Sequence, residues 1–347
     1  LNRQVETHRL PAAADGIASV KRIHDGNGNL TQVEEHAESG APRVWVASYD
    51  DFNRRTGWTD RNGVSVQQRF DASDNRILRT GPEGSTSYSY NSLNQIQGIA
   101  PPSGGAIAAT VSPAGRLSEL FHANGTRTQV TRDGAGRVRE LRHLLGAAAL
   151  LTLGYTLDAN GHRVAETWER GSERIEIAYE LDLAERLKAV TTNGERVEYT
   201  LDKVGNRTAE SHPGGLLRTH EYDFRDRLIE TRDNGQVVAS YGYDLAGRQT
   251  THTAGGVTRE YQYDTQDRLL GVSQGGVPIV RYESDAFGQR SLRDAGGQVE
   301  QYQWDGTRLA GRTNATGTSL GDYQYAYGWA VSSSEGGTRS TLHTDVH

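Results

Sequence analysis

The sequence predicts an all-β protein in which tandem β-hairpins pair into one long, curled antiparallel sheet. Three observations predict this class: an Asp-containing motif that recurs about every 21 residues, a turn glycine in phase with it, and tyrosines that alternate along the segments between them. The 347 residues include 41 Gly, 16 Tyr and only 5 Phe. This composition suits thin sheets joined by tight turns better than a compact apolar core.

A six-residue motif, aromatic–Asp–x–x–(Gly/Asp)–Arg, recurs along the chain. Its plainest copies are Tyr49–Arg54, Tyr222–Arg227, Tyr243–Arg248 and Tyr263–Arg268. Most intervals between successive copies are 20 or 21 residues, and a few are 24 or 25. A fixed period of this length is typical of a repeat architecture. The aligned positions, with Asn and Ser replacing Asp at two of them, are Asp25, Asp50, Asp71, Asn91, Ser112, Asp133, Asp158, Asp182, Asp202, Asp223, Asp244, Asp264, Asp285 and Asp305.

A turn glycine follows most of the aligned positions after twelve to fourteen residues. Asn193-Gly194, Asn234-Gly235 and Gly255-Gly256 are examples. Asn-Gly and Gly-Gly pairs supply the positive φ angles that two-residue hairpin turns need. Each repeat is therefore predicted to be one hairpin with two different turns, one rich in Gly and one containing Asp and Arg.

The segments between the two kinds of turn are about seven residues long, which is an ordinary strand length. Tyr241 and Tyr243 are spaced by two, as are Tyr261 and Tyr263, and this spacing places such rings on one face of a strand. The Asp that opens the second turn is expected to accept hydrogen bonds from backbone NH groups that follow it. The Arg that closes the turn is expected to contact that Asp or to stack on a neighbouring Tyr.

The repeats define the predicted organisation of the chain. Residues 1–20 are a lead-in segment, residues 21–310 form an array of about fourteen repeats of 20–25 residues, and residues 311–347 form a closing segment. Because one hairpin is marginal alone, neighbouring hairpins should pair edge to edge into a sheet of some twenty-eight strands. Twist should curl this sheet, and the sparse large aliphatic residues leave its interior wet or filled by another molecule.

Repeats that read Tyr-Asp-x-x-Gly-Arg-Leu at this period resemble the YD/Rhs repeat family, which includes bacterial Rhs polymorphic toxins, the C component of insecticidal Tc toxins and the teneurins. The resemblance covers residues 21–347. Near the end, Tyr302–Leu309 and Leu342–Asp345 resemble the closing segment of a bacterial Rhs core. The resemblance implies a hollow spiral shell, or cocoon. It also implies that this chain is a piece of the shell, truncated before the autocleavage motif and the toxin.

The resemblance implies a structural shell fragment that encapsulates a C-terminal toxin polypeptide for export. The expected partners are that polypeptide, the remaining shell segments and type VI secretion components, and the expected location is secreted or at the cell surface. The alternative is a cell-surface adhesion or carbohydrate-binding scaffold of the wall-associated or teneurin-like type. No enzymatic activity is expected of this chain, since any toxin or autoprotease activity would lie outside it.

Charge and hydropathy exclude several other classes. The net charge of −6 comes from a mixture of 44 acidic and 38 basic residues, whereas a nucleic-acid-binding surface would be strongly basic. The chain contains no cysteine, so disulfides and thiolate chemistry are excluded. The longest apolar run, Leu144–Leu153, is too short to span a bilayer, which needs about 20 residues.

We assign no catalytic, cofactor-binding or metal-binding residue from the sequence, because each candidate has a structural explanation. Twelve copies of an Asp cannot all be catalytic, and their repetition indicates a structural role. Adjacent carboxylates point to opposite faces of a strand, Gly-x-Gly runs without a following helix are turns, and the serine triplet lacks a partner His in a recognisable elbow. The candidates considered are Glu34-Glu35, Asp50-Asp51, Gly26-Asn27-Gly28, Gly134-Ala135-Gly136, Ser332-Ser333-Ser334, and His343 with His347.

Overall fold

A computed structural model describes residues 3–8, 17–102, 104–326, 329–335 and 338–341. These residues form β-strands joined by short turns, and the one helical element among them is a 3-10 turn at Pro213–Gly215. The all-β class predicted from the sequence is therefore confirmed. Within the described residues, no helix has the length and apolar character needed to cross a membrane.

Thirty-two strands, numbered in chain order, belong to one antiparallel sheet. Strands β1 to β16 are Arg3–His8, Ile17–His24, Leu30–Ala37, Arg43–Tyr49, Arg55–Thr59, Ser65–Phe70, Arg76–Gly81, Gly84–Tyr90, Ile96–Ala100, Ile107–Val111, Leu117–His122, Thr126–Arg132, Val138–Leu145, Ala148–Leu157, Arg163–Arg170 and Glu173–Leu181. Strands β17 to β32 are Leu187–Thr192, Glu195–Leu201, Arg207–Ser211, Leu217–Tyr222, Leu228–Asp233, Gln236–Tyr243, Gln249–Ala254, Val257–Tyr263, Leu269–Gln274, Val277–Ser284, Arg290–Ala295, Gln298–Asp305, Arg308–Asn314, Ser319–Ala326, Trp329–Glu335 and Thr338–Thr341.

Each strand pairs with the next one along the chain over three runs, β1 to β10, β11 to β24 and β26 to β32. The strands thus form meanders of consecutive hairpins. The glycine turns are tight: Thr192 pairs with Glu195 around Asn193-Gly194, and Asp233 pairs with Gln236 around Asn234-Gly235. Both Asn and Gly have positive φ in these turns, as two-residue hairpin turns require.

The twenty-eight strands expected from the repeats correspond to β2–β29, and β1, β30, β31 and β32 are additional. Position 305 was wrongly aligned as an Asp-containing turn. Asp305 instead ends β28 and pairs with Arg308 around the two-residue turn Gly306-Thr307. The longer turn needs a residue that tolerates positive φ three places after the Asp, and Arg308 occupies that place. Gly306 has positive φ at the first of the two turn positions, and a Gly there favours the shorter hairpin turn instead.

The chain divides into two compact units. The first contains the described residues up to 109 together with 261–273 and 277–341, and the second contains 110–260 and 274–276. An apolar cluster in the first unit includes Val20, Val33, Trp45 and Trp58, with Ala286 packed against it from a distant part of the chain. Trp45 also meets the ring of Phe287 edge to face, with centroids 5.2 Å apart.

A buried charge cluster ties the same distant segments of the first unit together. Arg61 donates from Nη1 to Glu35 Oε2 at 2.6 Å and from Nη2 to Glu283 Oε2 at 2.7 Å. Arg43 also donates to Glu283, at 2.7 Å. The Arg61 and Glu35 side chains are both almost fully buried, so a loss of Arg61 would leave the buried Glu35 carboxylate without its closest partner.

Within the second unit, residues 163–260 contain very little apolar core. Their only buried side chains are those of Glu166, Ala189, Thr231 and Ala239. A sheet packed against a second layer buries a continuous row of large aliphatic residues on one face. This part of the sheet is therefore a single layer, and backbone pairing and the contacts between its turns hold it together.

Candidate functional site

The repeated Asp motif forms a five-residue turn, here called the box turn. The backbone NH of its first residue donates to the carbonyl of its fifth, as from Asp244 to Arg248 at 3.0 Å. The fourth residue, Gly247 in this turn, has positive φ. Thirteen of the fourteen aligned positions open such a turn, and Asp305 is the exception. The residues at the fourth position are Gly, Asn, Asp or, at Glu185, Glu.

The first side chain caps the turn that it opens. In the turn that begins at Asp223, Oδ1 accepts the backbone NH groups of Arg225 at 2.9 Å and of Arg227 at 3.1 Å. Oδ2 accepts from Arg227 Nε at 2.7 Å. One carboxylate thus satisfies three donors, which explains why Asp is preferred here. Asn91 makes the same two backbone contacts through its amide oxygen.

The closing arginine also links each box turn to the next. Nη1 of Arg54 donates to the carbonyl of Asp71 at 2.9 Å, and Nη1 of Arg227 donates to that of Asp244 at 3.2 Å. The same link occurs from Arg137, Arg186 and Arg268. Because the guanidinium is planar and carries several donors, one side chain serves both turns. The resulting row of linked turns is called the turn ladder below.

Asparagine replaces arginine in some turns and keeps the ladder continuous by a different bond. Nδ2 of Asn206 donates to Asp202 Oδ2 and to Asp226 Oδ1, both at 3.0 Å. Asp226 is the positive-φ residue of the following turn. Asn75 makes the equivalent pair of contacts, with Asp71 and Asn94. The side chain must therefore carry donors that reach both turns, and charge is not essential.

The tyrosine that precedes the Asp joins neighbouring repeats. The hydroxyl of Tyr243 donates to the carbonyl of Leu228, the residue directly after the preceding box turn, at 2.8 Å. Tyr49, Tyr90 and Tyr222 make the equivalent bond. The guanidinium carbon of Arg227 also lies over the Tyr243 ring, 4.8 Å from the ring centroid. Both contacts predicted for the arginine, with the Asp and with a neighbouring Tyr, are thus confirmed.

The ladder contacts change the acidity of the carboxylates. The hydrogen bond from the Arg227 side chain, followed by bonds from the backbone, lowers the pKa of Asp223 to about 2. The pKa is also lowered for Asp133, for which the backbone bond from Arg137 is the largest cause. These carboxylates are therefore ionised in the native ladder at neutral pH.

The two faces of the single layer differ chemically. The charged face, formed by Arg174, Glu176, Glu180, Arg196 and Glu198, is exposed and carries ion pairs such as Arg196 to Glu180 at 2.7 Å. The aromatic face includes Tyr155, Ile177, Tyr179, Val197 and Tyr199, which are half-buried or buried. Trp168 and Ile175 on the same face are 39% and 38% exposed.

Polar groups are embedded in the aromatic face. Glu166, which is buried there, accepts a hydrogen bond from the Tyr179 hydroxyl at 2.6 Å. Burial and this carboxylate together raise the pKa of Tyr179 to about 12. The aromatic face therefore offers Tyr rings interspersed with polar groups.

The other motifs considered from the sequence have structural places. Glu34 contacts Lys21 and His36, whereas Glu35 contacts Arg61, so the two carboxylates serve different partners. The Gly26–Gly28 and Gly134–Gly136 runs lie in box turns, Asp50 opens one, and Ser332–Ser334 lies within β31. His343 and His347 lie outside the described residues. Elsewhere, within the described ranges, no three His, Cys, Asp or Glu side chains are grouped as metal ligands would be.

Three turns with this geometry were not predicted from the sequence, at Asp60, His212 and Asn314. At Asp60 and Asn314 the available signal was a Gly three residues later, Gly63 and Gly317. His212 is also followed by a Gly with positive φ, Gly215, but it has no carboxylate or amide oxygen to cap the turn. None of the three has an Arg at its fifth position, so none contains the complete motif.

The comparisons with known proteins agree with this geometry. The sequence model of the family described as Teneurin YD-shell matches residues 122–308, more than half of the chain, and that described as RHS Repeat matches residues 49–86. A search of curated protein sequences finds no match.

One of two solved structures compared with this chain shares its fold. The crystal structure of TcdB2-TccC3 without its hypervariable C-terminal region is 14% identical, with a TM-score of 0.56 over 93% of this chain and 21% of that chain. TcdB2-TccC3-TEV is 12% identical over 98% of this chain and 25% of that one, but its TM-score of 0.45 supports no conclusion. The chain thus spans between a fifth and a quarter of the length of these structures.

The first likeness shows a common fold, and the family match is independent of it because it rests on sequence. The chain belongs to the teneurin YD-shell family and is built from YD/RHS repeats.

Proposed function

We propose that this chain is a non-catalytic wall segment of a shell that encloses a toxin polypeptide. The observation that carries the proposal is the single layer of residues 163–260, which buries almost no apolar core of its own. A sheet built in this way is suited to separate two spaces, because it is one layer thick and has two free faces.

The difference between the two faces supports one orientation of the wall relative to the enclosed space. Side chains on the concave side of a curved sheet crowd one another, and the aromatic face is the less exposed of the two. We infer that it faces the enclosed space. Tyrosines and buried polar groups such as Glu166 contact an unfolded polypeptide without a continuous hydrophobic surface. The charged face would then contact water, where exposed ion pairs contribute solubility more than stability.

The family and the shared fold support the identity of the cargo. The TcdB2-TccC3 structure was solved without a hypervariable C-terminal region, and a shell of this type would enclose the equivalent polypeptide here. The remaining shell segments would complete the wall. We further propose that the protein is exported, with type VI secretion as the first route to test.

Limited proteolysis of the intact protein that contains this chain tests the proposal. The enclosed polypeptide should resist protease in the intact protein and be digested quickly when it is expressed alone. Arg61→Ala should remove this protection, because it breaks the buried cluster of Glu35 and Glu283. Arg196→Ala, which breaks only exposed ion pairs, is the matched control and should retain protection.

Equal digestion rates inside and outside the intact protein would reject encapsulation. The adhesion or carbohydrate-binding scaffold would then be favoured, since it requires no enclosed chain. Loss of protection in Arg196→Ala as well as in Arg61→Ala would also count against a specific role for the buried cluster in closing the wall.

A further inference from the structure

A cavity of about 270 Å³ lies within the first unit and is lined only by residues of that unit. Its walls are unusually aromatic: Trp45, Trp58, Phe287, Tyr302 and Trp304 all line it. The volume is slightly below the range of roughly 300–1,000 Å³ typical of sites for drug-sized ligands. A ligand of one ring is therefore the appropriate size.

Two box turns that lack the usual side-chain hydrogen bond to Oδ2 lie at this cavity. In ten Asp box turns, Oδ2 accepts a hydrogen bond from the side chain of the fifth residue. Asp60 is followed by Val64, which has no donor, and Gln289 donates to the Gly306 carbonyl instead of to Asp285. Within the described part of the chain, Asp60 and Asp285 therefore have an Oδ2 without a hydrogen-bond donor.

The environment of these two carboxylates differs from that of the ladder. Burial raises the pKa of both Asp60 and Asp285, whereas the pKa of Asp223 and Asp133 is lowered. Both line the cavity. The neighbouring Arg61 makes no hydrogen bond to either of them, and its Nη1 and Nη2 atoms bind Glu35 and Glu283.

Two further polar side chains that line the cavity have no side-chain hydrogen bond in the described part of the chain. Gln303 is 4% exposed, and neither its Oε1 nor its Nε2 has a hydrogen bond. Arg55 makes no ion pair or side-chain hydrogen bond, and its guanidinium lies over the Trp58 ring, 4.2 Å from the centroid. A native protein rarely leaves a buried amide unsatisfied, so Gln303 indicates a polar occupant.

The four polar side chains together determine which hydrogen-bonding groups the ligand must carry. Asp60 and Asp285 offer acceptors, Arg55 offers donors and Gln303 offers both, so the ligand must both donate and accept hydrogen bonds. An anionic ligand would meet the two carboxylates, and a cationic ligand would meet Arg55. Hydroxyl groups satisfy both requirements without charge, and a sugar ring presents an apolar C–H face that packs on the indole rings.

We propose that this cavity binds a single neutral pyranose ring. An aromatic ring of the cavity wall packs against the face of the sugar ring, and the hydroxyl groups bond to Asp60, Asp285, Arg55 and Gln303. This inference goes beyond the proposed wall function and is independent of it, because a pocket within the first unit can bind a sugar whether or not the shell encloses a polypeptide.

Titration of the intact protein with the methyl pyranosides of glucose, galactose, mannose and N-acetylglucosamine tests the proposal. Tryptophan fluorescence and calorimetry should show saturable binding of at least one of them, with a Kd of about 1 mM. Asp285→Asn should weaken binding about tenfold. The turn survives this change, because Asn91 and Asn314 form the same turn with an amide.

Asp71→Asn is the matched control: it changes a box turn outside the cavity and should leave binding unchanged. Gln303→Met, which removes the buried amide at similar length, should also weaken binding, and its melting temperature reports whether it folds. The proposal is overturned if no neutral pyranoside binds at about 50 mM, or if Asp285→Asn and Asp71→Asn behave alike. Tighter binding of methyl glucuronide or lysine amide than of every neutral pyranoside would also overturn it.

Discussion

Individual residues of the box turn have separable roles. The first residue caps the backbone, the fourth provides positive φ, and the fifth links the turn to its neighbour, as Asp244, Gly247 and Arg248 illustrate. The box turn therefore keeps the same geometry along the chain, although several residue types occupy each of its positions. Asn replaces Asp at Asn91, and Asn replaces Gly at Asn53.

The fourth position should be sensitive to conformation alone. Gly247 has φ of +89°, and a Cβ added there would meet no atom within 4 Å. Gly247→Ala should therefore destabilise the protein by about 1 kcal/mol through backbone strain, without a steric clash. Gly247→Asn should cost less, since Asn53 and Asn94 adopt the same conformation. Urea unfolding measures both, and an equal loss in the two variants would contradict the role assigned to φ.

Acid should weaken the ladder in a defined pH range. Because the folded pKa of Asp223 is about 2 and the unfolded value is about 3.9, its contribution is present above about pH 4. That contribution is lost as the pH falls through about 2. Asp223→Asn keeps the turn and removes this titration, so the free energy of unfolding should fall less steeply between about pH 4 and 2. An unchanged slope in the variant would show that protonation of Asp223 does not affect the free energy of unfolding.

Between elements, stability comes from contacts that repeat from one hairpin to the next. The Tyr243 hydroxyl joins a strand end to Leu228, and Arg227 joins two box turns. In a quasi-one-dimensional array each hairpin depends mainly on its neighbours. The effect of a substitution in the ladder should therefore remain local, as a rise in amide exchange within the adjacent strands.

The tyrosine link can be separated from the tyrosine ring. Tyr243→Phe removes the bond to Leu228 but keeps the ring beneath Arg227, and should cost about 1 kcal/mol. Tyr241→Phe is the matched control. Its ring stacks on His252 at 4.9 Å, and its hydroxyl has no hydrogen bond within the described residues. The control should change stability by less than about 0.5 kcal/mol, and a similar loss in both variants would rule out the hydroxyl link.

The features that depend only on residues close together in the sequence could be predicted from it. The period, the two kinds of turn and the Asp–Arg contact all depend on residues within one repeat. The assignment was wrong at Asp305, where Arg308 occupies the position that needs positive φ. The cluster of Arg61, Glu35 and Glu283 could not be predicted, because Glu283 lies more than 220 residues from Arg61 along the chain. The cavity, which depends on the same association, could not be predicted either.

On the largest scale, residues 163–260 of the second unit form a thin sheet with two chemically different faces. Backbone pairing and the turn ladder stabilise this sheet, so that little apolar volume is needed between 163 and 260. The first unit differs, since it has an apolar cluster around Val33 and Trp58 and contains the cavity. The two proposals therefore assign different roles to the two units: wall to the second, and a binding site in addition to the first.

The most direct test is the accessibility of the two faces in the intact protein that contains this chain. Because the chain has no cysteine, single cysteines can replace Ala178 or Thr200 on the charged face, and Val190 or Val197 on the aromatic face. A small maleimide serves as the control for reactivity, and a polyethylene glycol maleimide too large to enter a closed shell reports enclosure. The account predicts that the large reagent labels Cys at 178 and 200 quickly and at 190 and 197 slowly. Equal labelling of both faces by the large reagent would contradict an enclosing wall.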